Sequence, residues 1–185
     1  MKIIKNLRFV SGLVPTGMTA LSRVFVSLGI AVVVTALVVI TALATPGSGI
    51  VSATVVARAS FVDPVDIKLK TTGEHQEVLH VPDAQETVIQ QVIIAPGGST
   101  GWHSHPGPVV VLIKAGQLSF FSSEDPSCTP TIYSAGQAFT DPGQGHVHVA
   151  RNLGTENVEL WAVYFDVPAG GAFRLDAANP GNCGF

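Results

Sequence analysis

The chain has 185 residues, of which 46% are hydrophobic and only 12% charged, and its formal net charge is −3 at neutral pH. That composition suits one compact domain together with an apolar segment. With no run of Lys or Arg and no interleaving of basic with aromatic residues, it excludes a nucleic-acid-binding face, and its acidic balance repels nucleic acid and anionic lipid. Residues 1 to 23 form a basic N-terminal region that carries Lys2, Lys5, Arg8 and Arg23 and no acidic residue. From Val24 to Ala44 follow 21 residues without a charge, where a bilayer span needs about 20. The basic excess before this span should stay cytoplasmic, so the rest of the chain should be exported. Two fates stay open for the span. Ala42-Leu43-Ala44 has the small-x-small pattern of a signal-peptidase site, with the accessible stretch Thr45-Pro46-Gly47-Ser48-Gly49 behind it, which favours secretion after cleavage near Ala44. The apolar run is longer than the roughly 7–15 residues of a signal-peptide core, which favours a membrane anchor. Of the ten basic residues four precede residue 45 and none of the thirteen acidic ones does, which leaves six against thirteen, a net of −7 over residues 45 to 185.

Beyond the span the pattern is one of short strands divided by turn residues. Residues 45 to 87 read as a linker and first strands: Ser60 to Lys70 alternates moderately around Asp63-Pro64, and Thr71 to Glu77 is a polar surface loop. Val88 to Ala95 is rich in β-branched residues and reads as a buried strand closed by Pro96-Gly97-Gly98. Further strands are expected at 109–114, 117–121, 131–133, 137–140, 147–152 and 158–167, with Ala115-Gly116 as a hairpin turn between two of them. No segment after residue 45 has a helical period with caps, although Ala177-Ala178 can close a short turn. Regular turns between short strands point to an all-β sandwich or barrel, spanning 88–167 and followed by a tail at 168–185. The two cysteines, Cys128 and Cys183, both stand in loop-like contexts. In an oxidising compartment they read as a disulfide. It would close 55 residues, remove on the order of 4 kcal/mol of chain entropy from the unfolded state, and pin the tail to the domain.

Four of the six histidines fall in two His-x-His pairs, His103-Ser104-His105 and His146-Val147-His148. In a strand, residues two apart project to the same face, so each pair can present two imidazoles to one ion. Neutral imidazoles suit Zn, Fe, Cu or Ni far better than Mg or Ca, which want oxygen ligands. Three such ligands leave a coordination position open, and four close the site further. His75 and His80, outside these pairs, read as satisfied polar residues. Trp102, Trp161, Tyr164 and Phe165 are most simply core or rim aromatics, and Asp141 and Arg151 are candidates for a surface role or for contact with the ligands.

The glycine framework around these pairs resembles the two motifs of the cupins, small jelly-roll β-barrels, over roughly Val88 to Val167. Gly97 stands five residues before His103, His105 completes the pair, and Gly116 closes the first motif. The motif's glutamate falls at Val109, or at Val110 under the longer spacing. Gly136, Pro142, Gly145, His148 and Asn152 fit the second motif with one extra residue between Pro142 and Gly145. The resemblance implies a cupin-type jelly-roll barrel in which His103, His105 and His148 bind a divalent transition metal. It also puts glutamate-dependent chemistry in doubt. The extra residue permits a bulge that would turn either His146 or His148 inward.

Three functions follow from this reading. The first is an exported or membrane-anchored metal-binding barrel, with a small-molecule ligand. The second is a metal-dependent enzyme of dioxygenase or isomerase type acting on a small polar substrate, against which stands the lack of an Asp, Glu or Lys in the matched motifs to serve as general base. The third is a metal-free structural or interaction barrel. Catalytic residues, metal identity and oligomeric state, a dimer included, stay open, and fold alone does not choose among the functions.

Overall fold

The computed structural model describes residues 45–72 and 78–185. The apolar span, the cleavage motif at Ala44 and His75 lie outside these residues. Among the described residues there are twelve strands and no helix, hence none long and apolar enough to cross a membrane.

In chain order the strands are β1 (Ser48–Ser60), β2 (Ile67–Lys70), β3 (Val78–Val81), β4 (Glu86–Ser99), β5 (His103–Ser104), β6 (Val109–Ala115), β7 (Gln117–Ser122), β8 (Thr131–Ser134), β9 (Ala138–Asp141), β10 (His148–Arg151), β11 (Val158–Val167) and β12 (Leu175–Asp176). Ten of them form one antiparallel sheet in the order β12-β5-β10-β4-β11-β6-β9, with β1 added to β4, and with β7 paired to both β10 and β8. Strands β2 and β3 form a separate ribbon. Side chains from β4, β6, β7, β10 and β11 meet in one apolar cluster that includes Val88, Ile94, Val109, Ile113, Leu118 and Leu160. Members from distant parts of the strand order share that core, so the sheet is curled around it as a barrel.

Strand β11 shows how sequence becomes sheet here. Val158, Leu160, Ala162 and Tyr164 are buried while the residues between them are half-exposed, the period of two that a strand packed on one face requires. It is hydrogen-bonded on both edges, to β4 and to β6. Strand β1 is the opposite case. It pairs with β4 over its length, with register shifts, yet its burial alternates only near Ile50 and it is otherwise exposed. Its residues take the extended form because β4 offers them a hydrogen-bond ladder, and an outer strand of this kind carries no alternating signature.

The hairpin expected at Ala115-Gly116 does not form, because β6 pairs with β11 and β9 whereas β7 pairs with β10 and β8. Gly116 is instead a corner where the chain leaves one part of the sheet for another. Its φ of 75° and the Asn157 carbonyl, 2.6 Å from where a Cβ would stand, leave room only for glycine. The extra residue of the second motif is absorbed in the same way: Gly143 takes a φ of 63° with its α-carbon against the backbone of Gly107.

Asn152 is fully buried and ties these turns to the core. Its amide donates to the carbonyls of Ile94 (2.8 Å) and Glu156 (2.7 Å), and its Oδ1 accepts from the Gly154 N–H. Asn152→Ala strands the buried Ile94 carbonyl, frees the half-buried Glu156 carbonyl, and is expected to cost about 2 kcal/mol in a urea-unfolding measurement. The motif asparagine is thus a clasp of the fold.

The tail closes the other face of the sheet. Cys183 is joined to Cys128, with Cα atoms 5.3 Å apart, and packs with Trp102, Phe121 and Val149. Phe185 stacks on Trp102 at 6.4 Å and carries the Arg151 guanidinium over its ring at 4.0 Å. Arg151 therefore belongs to the tail cluster. Such a disulfide is compatible with an extracytoplasmic location.

Candidate metal centre

Strands β5 and β10 bring the two motif segments together, for His103 and His148 are directly opposite each other across the ladder. His105 follows two residues after His103 and joins them. The ring centroids lie 4.9 Å (His103–His105), 4.3 Å (His103–His148) and 5.2 Å (His105–His148) apart. One ring nitrogen of each lies within 4.8 Å of the others, and all three side chains are buried.

The backbone sets which nitrogens face inward. His103 Nδ1 is 2.8 Å from the Gly101 carbonyl, His105 Nδ1 is 2.7 Å from the Phe173 carbonyl, and His148 Nδ1 is 3.3 Å from the His146 carbonyl. A carbonyl oxygen only accepts, so each neutral ring carries its proton on Nδ1 and keeps a lone pair on Nε2. This is the tautomer of an imidazole ready to ligate a metal, held by partners around the ligand shell. Gly101 reaches its place by a φ of 71° and lies against the backbone of Thr45 and Pro46, which a side chain would strike.

Electrostatics agree with neutral rings. Burial holds His103 well below the ordinary imidazole value, and the positive charge of Arg174 pushes it further down. Burial also lowers His105, against the opposing pull of the Phe173 carbonyl. His148 is held well below its ordinary value by burial, although the nearby Asp141 carboxylate works the other way.

Of the two histidines in the second pair, His148 joins His103 and His105, and His146 does not. His146 Nδ1 donates to Asp141 Oδ1 at 2.8 Å, and its Nε2 lies 2.9 Å from Ser122 Oγ. Asp141, His146 and His148 thus make a second group behind the first, sharing His148 with it. Asp141 is only 1% exposed, which rules out the surface role open to it in the sequence. Burial raises the pKa of its carboxyl, but the His146 hydrogen bond and the neighbouring imidazoles outweigh burial and hold it below the usual range. Asp141 has no motif position of its own. The only hint of its place is that it precedes Pro142, the first residue of the histidine-bearing turn. His80 lies at the surface, 3.9 Å from Asp66 and away from the three buried histidines.

The three histidines open on a cavity of about 370 Å³. Its walls are mostly apolar, Val92, Leu118 and Phe139 among them, and its polar groups include Asp141, Tyr164 and Arg174. Tyr164 lies inside the barrel, donates its hydroxyl to Gln90 at 2.9 Å, and is kept protonated by burial. The arrangement can hold a divalent cation through a His/Asp cluster and can admit a small molecule beside it.

No family model and no curated protein matches this sequence. Among solved structures it is similar to an uncharacterised conserved protein with a double-stranded β-helix domain from Klebsiella pneumoniae, at 20% identity and a TM-score of 0.42, over 65% of this chain and 90% of that one. It is also similar to a cupin-like protein from Thermotoga maritima, at 20% identity and a TM-score of 0.42, over 50% of this chain and 65% of that one. An oxalate oxidase matches at 22% identity and a TM-score of 0.38, over 43% of this chain, which spans less than half (41%) of that protein. Its own strand pairing gives an all-β barrel in which the two histidine-bearing segments are opposed on neighbouring strands.

Proposed function

We propose that this protein binds one divalent transition metal through His103, His105 and His148 and holds a small molecule in the adjoining cavity, outside the cytoplasm. The observation that carries this reading is the set of three buried imidazoles, each with Nδ1 at a carbonyl and one ring nitrogen of each within 4.8 Å of the others. The donor set fits the group, since three neutral nitrogens suit Zn, Fe, Cu or Ni. A metal held there would supply a Lewis-acidic position open to water or to a ligand. The chain's own residues supply the remainder: apolar walls that limit the guest to a few hundred Å³, and Arg174 and Tyr164 as polar groups toward which it can orient. Export, or anchoring through residues 24–44, belongs to the same proposal; the disulfide and the charge-free span support it.

The test is elemental analysis of protein purified without chelator, beside the double variant His103→Ala, His105→Ala. The expected result is near-stoichiometric metal in the parent, none in the variant, and an unchanged circular-dichroism spectrum, because the apolar core is built by other residues. Metal at background level in the parent would overturn the reading, and unfolding of the variant would reassign the histidines to the fold. Iron or copper would direct substrate screens to oxygen chemistry, and zinc to binding or hydrolysis.

A further inference from the structure

The first motif has a valine where the cupin pattern it resembles has a glutamate, yet the barrel has a buried carboxylate next to that position. Val109 and Asp141 are directly paired across β6 and β9, and both side chains line the cavity that holds the three histidines. Among the described residues Asp141 is the sole buried carboxylate. Its Oδ1 lies 2.8 Å from His146 Nδ1 and 3.4 Å from His148 Nδ1, and its Oδ2 has no hydrogen-bond partner among the described residues. Asp141 does not group with His103 and His105. It stands at the Nδ1 side of the His148 ring.

We infer that Asp141 replaces the missing motif carboxylate from the neighbouring strand and does so through His148, as a positioning residue that fixes the ring and supplies negative charge to the centre. The inference rests on the metal-binding reading above. Three neutral imidazoles around a dication leave its whole charge in a buried site, which is costly unless a counter-charge lies close by. A carboxylate one ring away supplies it. Metal binding at Nε2 makes the opposite Nδ1–H a stronger donor, and that proton faces two acceptors, the His146 carbonyl at 3.3 Å and the negatively charged Asp141 Oδ1 at 3.4 Å. His146 completes the unit by donating to the same Oδ1, which keeps the carboxylate ionised and turned toward His148; Ser122 in turn holds His146. The second motif's two histidines therefore have different roles: His148 faces the centre, and His146 orients the residue that orients it.

The experiment uses zinc ions as the probe and the full chain as the protein. Zinc affinity is measured by chelator competition for the parent, Asp141→Asn and Asp141→Ala. In parallel, the ring tautomer of His148 is read in the metal-free proteins by long-range ¹H–¹⁵N NMR. Asp141→Asn keeps size and an acceptor oxygen but removes the charge, so it is expected to fold and to bind zinc about 10–100-fold more weakly. Asp141→Ala removes one of the two acceptors at His148 Nδ1 and leaves the His146 carbonyl, so the Nδ1-protonated fraction of His148 is expected to fall, a change that a purely structural role for Asp141 would not produce. Zinc bound by Asp141→Asn within twofold of the parent overturns the proposal alone. So does a second equivalent of zinc held by Asp141, His146 and His148 in the parent. A parent that takes up no zinc overturns the metal-binding reading and this inference with it.

Discussion

The metal-free protein is expected to lose stability steeply as the pH falls below about 6.5, the ordinary imidazole value. His103, His105 and His148 are buried with folded-state values below it, His103 and His148 well below. Well above that pH the rings are neutral both folded and unfolded, so they add no pH dependence. As the pH drops through the unfolded-state value, the unfolded chain takes up protons that the folded chain refuses, and the equilibrium moves toward unfolding. Each such ring contributes a slope of about 1.4 kcal/mol per pH unit until its own folded-state value is reached. Asp141 acts later and in a separate window: its carboxyl is depressed in the fold, so its contribution is present above the unfolded carboxylate value and lost as the pH falls through the folded one. Bound metal follows the same direction, because protons and the ion compete for the imidazole lone pairs. Urea midpoints between pH 8 and pH 5, with chelator present, read the effect directly. A midpoint that stays level across that range would show that the rings accept protons without leaving the fold, and His148→Ala should flatten the profile if burial of that ring is its cause.

Removing the disulfide is expected to have an effect of similar size by a different route. With Cys128 and Cys183 both replaced by Ser, the unfolded chain regains the freedom of a 55-residue loop, on the order of 4 kcal/mol. The loss reaches beyond entropy, since the tail that the bridge holds is part of the centre's frame. Strand β12 pairs with β5 at Ser104 and His103, the Ala177 N–H donates to the Trp102 carbonyl, and the Phe173 carbonyl fixes His105. The double variant should therefore unfold at lower denaturant, expose Trp102 as a red shift in fluorescence, and hold metal less tightly. Equal zinc affinity in the bridged and unbridged forms would show that β5 keeps His105 in place without the tail.

Much of this was legible in the residues. Strand β11 lies where its alternation put it, at Val158–Val167, because both faces of that strand have definite and different environments. The histidine pair of the first motif follows from the two-residue period of a strand, and the pairing of Cys128 with Cys183 from their number and loop settings. Strand β1 was not legible, since its extended form comes from the ladder with β4 and asks nothing of side chains such as Ser52, Ala53 and Thr54. Nor was the corner at Gly116, where a glycine between two strands fits a hairpin and a crossing equally well.

An all-β domain, a set of histidines able to meet, an absent motif glutamate and a bridge to the tail could all be read from the residues, because each depends on residue type and spacing along one or two strands. It took the folded barrel to show that His148 faces the centre while His146 holds Asp141, that Asp141 is buried opposite Val109, and that the carbonyls of Gly101 and Phe173 choose the tautomers of His103 and His105. The physical reason is common to all three. Burial and hydrogen-bond partnership are set by which strands become neighbours, and a backbone carbonyl, present at every residue, leaves no mark in the sequence of the partner it will take.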